Sequence, residues 1–150
     1  MVRTSQSFES LFMNISEQRD IKFDGDLLAN IFAMQSEAER EFAVIEGIPE
    51  RRAFGKLENL HHPEVCKHIS VNILWRLVQE VAEATVALQN AKTWRQSKYL
   101  TDVNEYLDEV ADIQIYLINL CLASGIDASL LAQIVAKKIL VNMKRIESKY

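Results

Sequence analysis

Four carboxylates carry the chemistry that this chain could do: Glu80 and Glu83, then Glu109 and Asp112. Each pair is spaced i, i+3, so its two members project from one helical face, a turn apart. Leu77, Val78, Val81, Ala82, Val86 and Leu88 surround the first pair, and Leu107, Val110, Ile113 and Leu117 the second. Helices that are apolar on most faces are ordinarily buried, which predicts that these acids lie inside a bundle. Two like charges about 6 Å apart repel by roughly 3 kcal/mol at an effective dielectric near 20. Four acids make six such pairs, and the sum exceeds the roughly 5–15 kcal/mol by which a domain is stable. A lone acidic pair is ordinarily a solvated face. Two pairs on apolar helices that can pack antiparallel instead point to a hard divalent cation, Mg²⁺ first.

Mg²⁺ takes oxygen ligands and keeps sites for water and phosphate oxygens, so such a cluster suits phosphoryl or pyrophosphoryl transfer. A di-iron bundle would call for Glu-x-x-His on two helices. Here the motifs are Glu-x-x-Glu and Glu-x-x-Asp, and His61, His62 and His68 lie at least three turns upstream of Glu80. Glu105, Asp108, Glu109 and Asp112 form one acidic stripe, in which Glu109 and Asp112 are the better ligands because Val110, Ile113 and Tyr116 flank them.

A second constellation lies near the C-terminus. Lys138, Asn142 and Arg145 fall at i, i+4 and i+7, a polar stripe able to hold the outer phosphates of a triphosphate. Gln35 sits beside an apolar stripe, where its amide could read a base edge, and Trp94 could stack on a base.

The elements that must position these groups read as all-α. The chain has only four Gly and two Pro among its 150 residues and long runs of 3.6-type periodicity. Residues 1–23 form an arm or short helix with Phe8, Leu11, Phe12 and Ile15 on one side. Asp24 or Asp26 caps a first long helix that stops at Gly47, and 48–62 reads as a connecting loop with room for a turn of helix. A second helix starts at Pro63 and runs to about Asn90. Residues 91–101 form a loop rich in cations and aromatics. Asp102 and Glu105 cap a third helix ending before Gly125, and Asp127 caps a fourth that continues to the C-terminus. Short links favour one domain over 1–150, an antiparallel bundle of about four main helices. Helices apolar on several sides predict an obligate oligomer.

A net charge of −4 and a pI near 5.4 argue against nucleic acid as a partner. No apolar run reaches membrane-spanning length or resembles a signal peptide, so the expectation is a cytoplasmic protein with no membrane partner. Cys66 and Cys121 are expected to be buried free thiols.

Glu80-x-x-Glu83 followed by Glu109-x-x-Asp112 resembles the metal motif of the all-α nucleoside triphosphate pyrophosphohydrolases, a superfamily of MazG proteins, dimeric dUTPases and phosphoribosyl-ATP pyrophosphatases. The stretch Trp75 to Ala84 and the run Glu109-Val-Ala-Asp112 are similar to the dimeric dUTPase and phage dCTP/dUTP pyrophosphatase branch. So is the ending Lys138-x-x-x-Asn142-x-x-Arg145 with Tyr150, and Met34-Gln35 and Trp94-Arg95 resemble that branch's nucleoside-pocket segments. Together they cover roughly 27–150.

The resemblance implies a MazG-like fold and cleavage between the α and β phosphates of a triphosphate, dUTP or dCTP, to a monophosphate and pyrophosphate. It implies Mg²⁺, with Mn²⁺ as an alternative ion, on Glu80, Glu83, Glu109 and Asp112, and Glu80 as the group that activates water. Lys138, Asn142, Arg145 and Tyr150 would then bind phosphates, Gln35 and Trp94 the nucleoside, in a homodimer or homotetramer. Two positions depart from the pattern: Ile115 stands where many members of the branch have His, and Lys149 where Gly commonly precedes the final Tyr. Two other functions share these residues: a broad-specificity MazG-like housekeeping pyrophosphatase, and a non-catalytic helical assembly module with a vestigial acidic core.

Overall fold

A computed structural model describes residues 25–88 and 102–147. Among them there are helices and no strands. Asp26 opens α1 (Leu27–Glu46) by accepting from the backbone N–H groups of Leu28 and Ala29, and Gly47 closes it. The connection that follows holds a short α2 (Glu50–Ala53) and a 3₁₀ turn over Leu57–His61. Then α3 (Pro63–His68), a π-helical turn (Ile69–Leu74) and α4 (Trp75–Ala87) follow without interruption, all in right-handed helical backbone at the joins. Proline at the first turn costs nothing, because its missing N–H would have no helical partner there. Asp102 caps α5 (Val103–Ser124) from its carboxylate, and Asp127 caps α6 (Ala128–Glu147) through Leu130 N–H.

The helices that bear the acids run antiparallel. Val65, Ile69 and Ile73 meet Tyr116, Leu120 and Ala123 at one end, while Glu80 and Glu83 meet Glu109 at the other. The π turn keeps Ile69 and Ile73, four apart, on one buried face against α5. A wider turn of this kind shifts the face presented by everything after it, including Glu80 and Glu83. On the other side of α5, Phe32 of α1 packs against Ile118 and Cys121, with Leu28, Leu122, Ile126 and Leu131 around them.

The last helix does not fold back along the bundle. Its axis turns 107° from that of α5. Gly125 takes φ +74°, Ile126 packs in the Phe32 cluster, and Asp127 restarts the helix at once, so the short link that favoured an antiparallel return instead makes a corner. No residue of α6 is buried, and Ile139, Leu140, Met143 and Ile146 are all more than half exposed. Val78 and Val86, expected inside the bundle, are also more than half exposed, because α1 packs mainly on the far half of α5 and leaves one side of the α4–α5 pair open. Cys121 is buried, but Cys66 is exposed beside the Leu60 carbonyl, since its neighbours Val65 and Ile69 take the inward face of the helix. Among the described residues no single helix is long and apolar enough to cross a membrane.

Candidate metal centre

Antiparallel packing brings the two carboxylate motifs together. One carboxylate oxygen from each of Glu80, Glu83 and Glu109 lies within 4.8 Å of the others. Glu80 and Glu109 are half-buried and Glu83 is exposed. The expectation of four acids inside the bundle is therefore corrected: the cluster lies at its open side, for the same reason that the valines do. Asp112 is half-buried and outside the 4.8 Å set, yet near enough for its charge to act on both Glu80 and Glu109.

The electrostatics are those of a site short of positive charge. Burial, then the charges of Glu83 and Asp112, raise the Glu80 carboxyl above its ordinary value, and Arg76 only partly opposes them. Glu109 is raised by burial and then by Glu83, Glu80, Asp112 and Glu105, with no cation acting against them. Its Oε2 atom is buried without a hydrogen-bond partner. A buried carboxylate oxygen left unpaired costs free energy that a cation would recover. The donor set is all oxygen, with no nitrogen or sulfur, and it suits Mg²⁺ or Mn²⁺ rather than a softer ion.

A polar group of which the sequence reading named only Gln35 as a site residue adjoins this cluster. Tyr116, one turn beyond Asp112, has its hydroxyl pKa raised by burial, then by Glu80; Asp112 and Glu39 add to this and Arg76 works against it. Gln35 donates from Nε2 to Asn119 Oδ1 at 2.8 Å and to Glu39 Oε1 at 3.3 Å. The signal was present in the spacing: Glu109, Asp112, Tyr116 and Asn119 fall at i, i+3, i+7 and i+10, one continuous stripe of α5.

The other expected site residues are not gathered at the acids. Lys138 and Asn142 are exposed on α6, on the same helix as Arg145. Glu109 lies 16 positions before the Gly125 elbow, about 24 Å at the helical rise, and α6 then leaves at 107°. The cationic stripe is thus set well apart from the acids of its own chain. Trp94 and Tyr150 lie outside the described residues. Compared with known protein families, curated proteins and solved structures, the chain finds no match.

Proposed function

We propose that the chain is a Mg²⁺-dependent nucleoside triphosphate pyrophosphohydrolase of MazG-like type, cleaving dUTP or dCTP between the α and β phosphates. One observation carries this reading: the oxygens of Glu80, Glu83 and Glu109 converge within 4.8 Å while Glu109 Oε2 is buried and unpaired. The motif spacing adds Asp112 to the set. Mg²⁺, when bound, supplies the positive charge that offsets the phosphates and the leaving pyrophosphate.

The chain's own residues do the rest. Glu80, Glu83, Glu109 and Asp112 would hold the cation, and Glu80 also takes the proton of an attacking water. The water oxygen bonds to the α phosphorus, the bond from that phosphorus to the bridging oxygen breaks, and pyrophosphate departs with the electron pair. The outer phosphates are held by Lys138, Asn142 and Arg145. Because α6 leads away from the acids of its own chain, this reading takes that helix from a second copy, in a homodimer or homotetramer. The seven large apolar side chains that α6 exposes would be covered in the same contact.

Product analysis tests the reading. Incubation with dCTP or dUTP and Mg²⁺ should yield the monophosphate and pyrophosphate in equal amounts. Diphosphate with inorganic phosphate would contradict cleavage at this bond. A folded protein inert on every triphosphate would favour the non-catalytic assembly module.

A further inference from the structure

The stripe on α5 continues past the metal cluster into a polar group with a chemistry of its own. From Asp112 to Asn119 is seven residues, about 10 Å along the helix. Tyr116 stands between, near enough for the charges of Glu80 and Asp112 on one side and Glu39 on the other to act on its hydroxyl. Across from Asn119, α1 presents Gln35 and Glu39 at i, i+4, on one face. All four of these residues are half-buried.

The hydrogen bonds define what this group can offer. Both interactions of Gln35 use its Nε2 donor, toward Asn119 Oδ1 and Glu39 Oε1. The Asn119 amide also donates to the Glu39 carboxyl, whose pKa burial raises above its ordinary value while the hydrogen bonds from Gln35 and Asn119 oppose the shift. The acceptors left at that point are the Gln35 carbonyl oxygen and the Glu39 carboxylate, which has no donor of its own when ionised. Acceptors of this kind suit an exocyclic amine. A carboxylate is the natural partner of the N4 amino group of cytosine, whereas uracil places its O4 oxygen in that position and would set acceptor against acceptor.

We propose that Glu39, fixed by Gln35 and Asn119, reads the amino group of a cytosine nucleotide and makes this a dCTP-type rather than a dUTP-type site. The proposal rests on the pyrophosphohydrolase reading, which puts the phosphates at the acids and the base farther along α5. It assigns specificity to a residue on α1, with no part in the bond-breaking step.

Calorimetric titration with dCMP, dUMP and dAMP tests it on the full chain with Mg²⁺ present. The expected result is dCMP binding about tenfold or more tighter than dUMP. In Glu39→Gln, which keeps shape and hydrogen-bonding capacity, the gap should shrink to within about threefold. Equal affinities, a preference for dUMP or dAMP, no binding of any of the three, or an unchanged ratio in Glu39→Gln would overturn it. The wild-type ratio is read without any variant, so a folding defect in Glu39→Gln does not spare the proposal. Preferential dCMP binding by a protein that releases no pyrophosphate would sink the pyrophosphohydrolase reading and leave the base assignment standing.

Discussion

Gln35 Nε2 donates to Asn119 Oδ1 at 2.8 Å, tying α1 to α5 across 84 residues of sequence. The bond lies beside the Phe32–Ile118 apolar cluster, and a slip of α1 along α5 would carry Glu39 away from Tyr116. Asn119→Ala would leave the Gln35 amide without its closest partner. Urea unfolding should show a loss of about 1–2 kcal/mol. No loss would mean that the apolar cluster alone sets the register.

Glu80→Gln should keep helical content and melting behaviour while lowering Mg²⁺-dependent pyrophosphate release by about a hundredfold or more, the usual cost of removing a general base. Circular dichroism and a coupled pyrophosphate assay check the two halves. Turnover within threefold of wild type would remove Glu80 from its assigned role.

Glu109→Gln tests the cation directly. The variant replaces one charge in a set of four and places an amide where Oε2 is now unpaired. Without metal its melting temperature should rise, because like-charge repulsion is relieved. With Mg²⁺ the wild type should gain more than the variant, since a ligand that binds only the folded state stabilises it more the tighter it binds. Equal Mg²⁺ shifts in the two proteins would count against Glu109 as a ligand.

The pH dependence of the metal-free chain follows from the same acids. Burial and mutual repulsion raise Glu80 and Glu109, so the folded state holds protons that the unfolded state has released. Their stabilising contribution is fully present below the unfolded carboxylate pKa, about 4.3, and is lost as pH rises through the raised values. His68, lowered by burial and by Arg52, works in the opposite direction, but in wild type and Glu109→Gln alike. Melts from about pH 4 to pH 8 should therefore show wild type losing stability relative to Glu109→Gln as pH rises. The reverse slope would mean that Glu109 is stabilised as a carboxylate by something other than metal.

Much of this architecture is legible in local chemistry. Asp26, Asp102 and Asp127 each cap the helix after them, Pro63 begins one, and Gly47 and Gly125 end two. These are short-range effects, fixed by a side chain and the three or four backbone groups beside it. The meeting of Glu80 and Glu83 with Glu109 is legible because two antiparallel apolar helices with matched i, i+3 pairs have few ways to pack. The π turn at Ile69–Leu74 is not, since its wider winding follows from packing against α5 rather than from residue preference. Nor is the 107° turn of α6, which depends on Ile126 finding the Phe32 cluster. Glu39 and Asn119 escaped notice for a related reason: each is unremarkable alone and acquires meaning only from the partner across the helix pair.

Gly55 marks a further long-range constraint. Its N–H donates to the Leu122 carbonyl at 2.8 Å, and a Cβ built on it would fall inside the Ala123 carbonyl group. Backbone cannot yield as a flexible side chain would. Gly55→Ala should cost about 3 kcal/mol or more, read as a lower urea midpoint at unchanged slope. A variant as stable as wild type would show that the connection before α3 can lift off the end of α5.

The central claim is that four carboxylates on two helices hold a divalent cation for pyrophosphate release. It is tested most directly by the initial rate of pyrophosphate release from dCTP and dUTP, with Mg²⁺ and with EDTA. The account predicts turnover that requires Mg²⁺, vanishes in EDTA, returns on adding the metal back, and is faster with dCTP. Folded protein that releases no pyrophosphate from either nucleotide, or releases it equally in EDTA, would contradict it.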